Sequence, residues 1–250
     1  IRNWPMSYST NLEPGDYEFV IVDVSEKKEL PPFVEKEKVV EIYDHHFGFE
    51  KTWSHLGEKA KIEPVGACAT LIWEEFKKRH QPPSPLAANL LYTAIVSNTL
   101  NFQASITTER DKKAFEELRQ FVNLPENWII QYYQDQEVSA YTTPEQTIAS
   151  DTKIEIVKGM KCAVGELELW NSMNFIKDHK RDIESTLKSF ATELWLLNAP
   201  SISEGRNYIF TKSETLKNLL RNVIQIDFFG TDIGVTKKLW LRKEILKMIQ

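Results

Sequence analysis

The amino-acid sequence predicts an α/β protein with two domains: a doubly wound, mainly parallel sheet, and a smaller mixed α/β domain joined to it by a hinge. Three observations predict this fold. Short apolar runs alternate with helical patterns in the first half of the chain, as strands buried on both faces of a parallel sheet do. A polar, Thr- and Pro-containing stretch then interrupts the pattern at 137–148, and a hairpin pattern follows it. The length of 250 residues suits two ordinary domains.

The first domain is predicted over residues 1–136. Two buried strands, 19–22 and 39–43, each end at an aspartate. A capping-box pattern, Thr108 to Asp111, predicts the start of one helix, because each residue can satisfy a backbone N–H of the other. The predicted helices cover 68–80, 84–100, 107–122 and 125–137.

Residues 137–148 are predicted to be a linker, and 149–250 the second domain. A hairpin over 152–169 turns at Lys158-Gly159, where glycine allows the positive φ of a tight turn. The remaining predicted elements are a charged amphipathic helix at 174–190, strands at 194–200 and 207–210, and a helix at 213–222.

Composition narrows the class of function. The sequence is 42% hydrophobic and 27% charged, as in soluble globular proteins. Its net charge of −5 argues against broad electrostatic binding of nucleic acid, so no nucleic-acid partner is expected. No apolar run approaches the roughly 20 residues that span a bilayer, so no membrane association is expected. Two distant cysteines, Cys68 and Cys162, favour a reducing compartment, and the cytoplasm is the expected location.

Polar residues at the two strand ends are the strongest chemical signal. Asp23 follows one strand, and Asp44, His45 and His46 follow the other. Ligands of open parallel sheets bind outside the carboxyl ends of the strands. Asp23 alone is explained as a loop cap, and His45 alone as a hydrogen-bonded core histidine. The set together favours a divalent metal, since carboxylate and imidazole suit Mn²⁺, and carboxylate with water suits Mg²⁺.

This Asp-His-His pattern after an apolar strand resembles the signature of the DHH phosphoesterases. The similarity is greatest to the branch of family II, manganese-dependent inorganic pyrophosphatases and exopolyphosphatases. It runs in the correct order from about residue 17 through blocks at 63–72, 90–102, 107–118, 150–153 and 241–246. The short motif is weak alone, but the ordered blocks make the resemblance specific.

The resemblance implies a metal-dependent phosphohydrolase. Its substrate would be a small phosphoanhydride, pyrophosphate or short polyphosphate, bound in a cleft between the two domains. The implied cofactor is a divalent metal, Mn²⁺ first and Mg²⁺ as the alternative. The implied partner is this small phosphorylated substrate, and a second copy of the chain in a homodimer is the one protein partner considered.

The resemblance also implies individual roles in the first domain. Asp23 matches an aspartate that bridges two metal ions, and His45 matches a metal ligand. His46 matches a catalytic histidine that faces the phosphate and the leaving oxygen. Asp44 supports these imidazoles, since metal-binding histidines usually donate their other N–H to a partner. Asn98 stands where the pyrophosphatases have a metal-binding aspartate, and its amide oxygen can still coordinate.

Three basic residues complete the implied site. Lys153, Arg242 and Lys243 match the cations with which the second domain of the family binds phosphate. Without the resemblance, all three would be assigned to a solvated face, as most basic residues are. Arg242 and Lys243 precede an apolar pair and so also predict the start of a last helix or strand.

Two departures from the family pattern keep other functions open. The family has an N-terminal strand and an Asn-Pro-Asp-x-Asp type of loop that supplies further metal ligands, and no such pattern occurs between Ile1 and Asp23. The loop is expected either upstream of Ile1 or not at all. Asn98 carries no charge, which weakens the expected metal site. The alternative functions are an anion- or protein-binding module without catalysis and, less favoured, an oligonucleotide phosphodiesterase.

Overall fold

The computed structural model describes residues 15–46 and 48–249. Residues 1–14, which make up most of the stretch between Ile1 and Asp23 without the N-terminal loop pattern of the family, lie outside the described residues. No helix within the described ranges is both long enough and apolar enough to cross a bilayer. The described residues form two compact units, one comprising 15–95 with 106–122 and the other 96–105 with 123–249.

The first unit contains a three-stranded parallel sheet. Its strands are β1 (Phe19–Val22), β2 (Val39–Asp44) and β3 (Ala60–Ile62), in the order β1-β2-β3. The β-branched residues that dominate β1 and β2 favour an extended backbone. Ile42, in the central strand, is fully buried in an apolar cluster with Trp53. The indole N–H of Trp53 donates to the carbonyl of Ser25 at 2.8 Å, which ties the loop after β1 to this core.

Three helices follow this sheet in the chain: α1 (Cys68–Lys78), α2 (Pro85–Asn98) and α3 (Glu109–Leu118). The predicted capping box is confirmed, because Thr108 accepts from the backbone N–H of Asp111 and the Asp111 carboxylate accepts from that of Thr108. The indole N–H of Trp73 in α1 donates to Glu117 of α3 at 2.7 Å. This bond joins the two helices side by side.

The second unit contains a six-stranded mixed sheet. Its strand order is β4-β5-β6-β7-β9-β8, and only the β5–β6 pair among these described strands is parallel. The predicted hairpin is confirmed: Lys158 and Gly159 link β4 to β5 with φ values of 50° and 82°, so glycine occupies a left-handed position that disfavours a side chain. The strands are β4 (Thr152–Val157), β5 (Met160–Glu166), β6 (Leu194–Ser201), β7 (Arg206–Phe210), β8 (Ile226–Asp227) and β9 (Ile233–Thr236).

Helices cover both faces of this mixed sheet. Successive strand residues point to opposite faces. Accordingly, Leu197 packs in an apolar cluster with Phe175 and Ile183, whereas its neighbour Leu196 packs in another with Leu216. The helices of the unit are α4 (Trp128–Thr142), α5 (Pro144–Ser150), α6 (Ser172–Asp178), α7 (Lys180–Lys188), α8 (Glu214–Val223) and α9 (Arg242–Ile249).

Two segments differ from their predicted form. The predicted linker at 137–148 is helical, because it comprises the end of α4 and most of α5, with Pro144 at the first turn of α5, where its missing N–H is tolerated. The single helix predicted at 174–190 is two helices, interrupted at His179, whose φ of −114° and ψ of 24° are not helical. The predicted domain boundaries at 136 and 149 remain predictions.

The predicted fold class is confirmed. A mainly parallel sheet with helices forms the first unit, and a mixed α/β arrangement forms the second. Arg242 and Lys243 are predicted to begin either a helix or a strand. The helix is correct, since these two residues begin α9.

Truncation of Ile42 to alanine should destabilise the first unit by about 2–5 kcal/mol, because it leaves a cavity where a fully buried side chain was. Urea denaturation measures this change. Val20→Ala on the adjacent β1 is the control, since Val20 is 54% exposed and its truncation should change stability by about 0.5 kcal/mol or less. Equal losses of stability from the two substitutions would contradict the burial of Ile42 and the exposure of Val20.

Candidate metal centre

The parallel pairing of β1 with β2 brings their carboxyl ends to the same edge of the sheet. Val22 pairs with Tyr43, and the backbone N–H of Asp23 donates to the carbonyl of Tyr43 at 2.9 Å. Asp23 has a φ of 66°, a left-handed conformation that aspartate tolerates better than most residues. The chain therefore turns immediately after β1, with the Asp23 carboxylate beside the end of β2.

His45 is the buried member of this group. Its Nδ1 lies 3.1 Å from the carbonyl oxygen of Val65, which can only accept, so Nδ1 carries the proton of this bond. Its Nε2 lies 3.3 Å from Oδ1 of Asp23. The Val65 carbonyl thus sets the tautomer of His45 and turns Nε2 toward the carboxylate. A backbone carbonyl has no side-chain signature, which is why the sequence did not predict this contact.

Asp44 orients the second histidine from a fully buried position. Its Oδ1 accepts from the backbone N–H groups of His45 at 2.7 Å and His46 at 3.2 Å. The same oxygen accepts from Nδ1 of His46 at 2.8 Å. Burial opposes ionisation of Asp44, but these bonds outweigh it and hold its pKa below the ordinary value. Asp44 is therefore an ionised support for both histidines.

The side chains of Asp23, His45 and His46 together fit a divalent cation. One ligand atom from each of Asp23, His45 and His46 lies within 4.8 Å of the other two. Bonds of about 2.1 Å to one ion place neighbouring ligand atoms about 3 Å apart, close to the 3.3 Å between Asp23 and His45. Two acceptor atoms at that distance need a proton or a cation between them. Both imidazoles also donate Nδ1–H to a fixed acceptor, the usual support of a metal-binding histidine.

Cys68, at the start of α1, lies near this group but is not a thiolate. Burial, and then the negative charge of Asp23, raise the pKa of its thiol to about 12. Its Sγ instead donates to the carbonyl of Tyr43 at 3.1 Å. Its role is therefore to hold α1 against the end of β2, rather than to bind a cation.

The other four predicted site residues belong to the second unit. Asn98 is part-buried at the last position of α2. Lys153 is exposed on β4, and Lys243 is exposed in the first turn of α9. Neither lysine side chain makes a hydrogen bond or ion pair with the residues that the structure describes.

Arg242 is largely buried and makes several bonds within the second unit. Its guanidinium donates to the carbonyl oxygen and to Oδ1 of Asp151, both at 2.7 Å. Its backbone N–H donates to Oε1 of Glu166 at 2.8 Å. These bonds tie the residue before β4 to the start of α9. Arg242 therefore fixes the segments that carry Lys153 and Lys243.

A buried amide network holds the segment before α9. Asn207 donates to Oδ1 of Asn198 and to the carbonyl of Trp240, and its own Oδ1 accepts from the Trp240 backbone N–H at 2.8 Å. Asn198 also donates to Oε1 of Glu166 at 2.9 Å. The apolar pattern of the sequence predicts strands β6 and β7. It does not predict that the buried side chains of Asn198 and Asn207 form a hydrogen bond with each other.

Glu168 lies close to the charges around Arg242. Burial, and then the negative charges of Glu166 and Asp151, raise its pKa to about 8, although Arg242 opposes the shift. At neutral pH this carboxyl is therefore mostly protonated.

Sequence comparison finds similar proteins that are named as manganese-dependent enzymes. No protein-family model matches the chain. A probable manganese-dependent inorganic pyrophosphatase of Clostridium acetobutylicum is 25% identical over 238 residues, covering 93% of this chain and 76% of the relative. A manganese-dependent inorganic pyrophosphatase of Methanocaldococcus jannaschii is 29% identical over 181 residues, covering 68% of this chain and 58% of the relative.

A solved structure gives the fold. The crystal structure described as a family II inorganic pyrophosphatase of Methanococcus jannaschii superposes with a TM-score of 0.70 at 23% identity, covering 93% of this chain and 80% of that chain. The fold and site thus define an α/β protein with a carboxylate–imidazole group suited to a metal at the end of a parallel sheet. The predicted resemblance is confirmed: the chain is similar in sequence to manganese-dependent inorganic pyrophosphatases, and it shares the fold of the family II structure.

Glu168→Gln should stabilise the chain at high pH and leave its stability unchanged below about pH 4.5. The folded pKa of about 8 lies above the ordinary 4.5, so the folded state retains a proton that the unfolded state loses between these values. Stability of the wild-type chain therefore falls as pH rises through that window. Denaturant midpoints at pH 4.5, 6 and 9 measure it, with exposed Glu126→Gln as control. A variant advantage that is constant with pH would contradict the assignment.

Proposed function

We propose that this chain is a divalent-metal phosphohydrolase acting on a small phosphoanhydride, pyrophosphate or short polyphosphate. The observation that carries the proposal is the convergence of Asp23, His45 and His46 at one end of a parallel sheet. The names of the relatives give the substrate class independently, since they are manganese-dependent inorganic pyrophosphatases. The proposal rests on both lines of support together.

Asp23 and His45 are the proposed ligands of the metal, and Asn98 adds an amide oxygen. Mn²⁺ suits a mixture of carboxylate and imidazole ligands, and Mg²⁺ is the alternative because it prefers oxygen ligands. A divalent ion supplies charge neutralisation at phosphoryl oxygens and a water of lowered pKa. The buried ring of His45 keeps its ligand atom in place, because the Val65 carbonyl prevents the ring from turning over.

His46 is the proposed catalytic residue that faces the phosphate and the leaving oxygen. Its side chain is 47% exposed, so it can reach a substrate, whereas its partner Asp44 is fully buried. The ionised Asp44 carboxylate, held 2.8 Å from Nδ1, stabilises a positive charge on the ring. His46 can therefore donate a proton from Nε2 to a leaving oxygen while Asp44 keeps the ring oriented.

Lys153, Arg242 and Lys243 are the proposed phosphate-binding cations. The two exposed lysines can contact phosphate oxygens directly. Arg242 already donates to Asp151, so it binds phosphate only if it exchanges those bonds. A small phosphorylated substrate as partner, a homodimer and a cytoplasmic location remain part of the same proposal.

Purified chain supplied with Mn²⁺ should release inorganic phosphate from pyrophosphate or short polyphosphate, and His46→Ala should reduce the rate at least about 100-fold, the usual effect of losing a general acid or base. Phosphate release is measured by colorimetric assay. His55→Ala is the matched control, since His55 is an exposed histidine of the same unit. No release from any phosphoanhydride with Mn²⁺, Mg²⁺ or Co²⁺ would refute the proposal.

Asn98→Asp should tighten Mn²⁺ binding and raise the rate at low Mn²⁺, because it replaces a neutral amide by a charged ligand. Isothermal titration with Mn²⁺ alone measures the affinity. Asn123→Asp, at an exposed position of the second unit, adds the same charge elsewhere and should have no effect. If both variants bind Mn²⁺ as the wild type does, Asn98 is not a ligand.

A second candidate is a module that binds an anion without catalysis. Within the described residues, the group of possible ligands that converges is Asp23, His45 and His46, and a two-metal centre would be incomplete even if all three bound metal. Such a module would bind pyrophosphate in the presence of Mn²⁺ and release no phosphate.

A further inference from the structure

Asp111 is a buried carboxylate outside the proposed catalytic set, and five donors converge on it. Its Oδ2 accepts from the backbone N–H groups of Gly66 at 2.8 Å and Thr108 at 2.7 Å, and from the Thr108 hydroxyl at 2.6 Å. Its Oδ1 accepts from the Ala67 N–H at 3.2 Å and from the Thr70 hydroxyl at 2.6 Å. Burial opposes its ionisation, but these bonds hold its pKa below the ordinary value.

These donors belong to the starts of two helices. Thr108 precedes α3, the helix that carries Asp111 itself, whereas Gly66 and Ala67 precede α1. Ala67 offers no side chain to cap α1. Asp111 therefore supplies from α3 the negative charge that the N-terminus of α1 attracts. Because that terminus already holds a carboxylate, it is not available as a phosphate-binding site.

The loop that Asp111 holds carries the carbonyl that orients His45. Within this loop the Glu63 N–H donates to the carbonyl of Asp44 at 3.0 Å, which fixes its first end. Its other end is fixed at Gly66 by Asp111. Between them, the Val65 carbonyl accepts from Nδ1 of His45. Asp111 thus binds the backbone of Gly66, which directly follows Val65 in the chain. The Val65 carbonyl in turn sets the tautomer of His45.

Arg110 reinforces the same connection. Its Nη1 lies 2.7 Å from Oε2 of Glu63, and its Nε donates to Glu74 in α1 at 2.9 Å. Two consecutive residues of the first turn of α3 therefore hold both the loop and α1. A role limited to capping α3 does not account for the bonds to Gly66, Ala67 and Thr70.

We propose that Asp111 is a positioning residue of the metal centre, which acts through the Gly66–Ala67 backbone and the Val65 carbonyl to hold Nε2 of His45 toward Asp23. Loss of the Asp111 carboxylate releases the loop, and the Val65 carbonyl no longer restricts the ring of His45. This inference rests on the proposed function for the identity of the metal, but the orientation of His45 is a property of the metal-free chain.

The test uses the whole chain with Asp111→Asn and two measurements. Titration with Mn²⁺ alone should give a dissociation constant about 10- to 100-fold larger than that of the wild type, the usual effect of losing an outer partner of a metal ligand. Long-range proton–nitrogen NMR of the metal-free chain at pH 8, with signals assigned by a His45→Gln variant, should show protonated Nδ1 in the wild type and a mixture of both tautomers in Asp111→Asn.

Asp182→Asn is the matched control. Asp182 is likewise an aspartate in the first turn of a helix, α7, and accepts from a histidine, His179, at 2.8 Å, but it lies in the other unit. It should leave both measurements unchanged. If Asp111→Asn does not fold by circular dichroism, Thr70→Val, which removes one of the five bonds, should raise the Mn²⁺ dissociation constant about 2- to 10-fold.

A folded Asp111→Asn chain with the wild-type Mn²⁺ affinity and an unchanged His45 tautomer would overturn the inference. Thr70→Val with both measurements unchanged would do the same if Asp111→Asn is unfolded. A wild-type chain that binds no Mn²⁺ contradicts the proposed function instead, and the tautomer of His45 still decides the role of Asp111.

Discussion

The parallel pairing of β1 with β2 is the constraint on which the candidate metal centre depends. A shift of one residue in this register would turn Asp44 and His45 to the opposite faces of the sheet, because strand side chains alternate. The register is maintained by Ile21 and Ile42, which are both buried in one apolar cluster. With Val22 opposite Tyr43, the first residues beyond the strands meet at one edge. The position of Asp23 relative to His45 is thus a consequence of core packing.

The centre is supported by layers of increasingly buried polar groups. The exposed members, Asp23 and His46, would meet a ligand. Behind them lie the Asp44 carboxylate and the Val65 carbonyl, and behind these lies Asp111. Each buried carboxylate is stabilised by several hydrogen bonds, so burial alone does not neutralise it. In this arrangement the buried groups are held by several hydrogen bonds, and the outer groups Asp23 and His46 are exposed to solvent.

Much of the fold follows from local patterns in the sequence. Apolar runs predict β1 and β2, the Thr108–Asp111 pattern predicts the start of α3, and Lys158-Gly159 predicts a hairpin. The failures have a common cause. Residues 137–148 have the composition of a linker, but neighbouring elements bury Ala140 and Ile148 and stabilise helices there. The periodicity of 174–190 continues through His179, although the backbone at that residue is not helical.

The sequence by itself determined which groups can bind a metal, since carboxylates and imidazoles directly after apolar strands predict ligands at a sheet edge. Its ordered motifs also indicated the resemblance to the pyrophosphatases. The tertiary structure alone decided how those groups are held. The tautomer of His45 depends on a backbone carbonyl 20 residues away, and the bonds of Arg242 depend on Asp151, 91 residues away. Contacts at such separations are set by packing of the whole unit, and no local pattern encodes them.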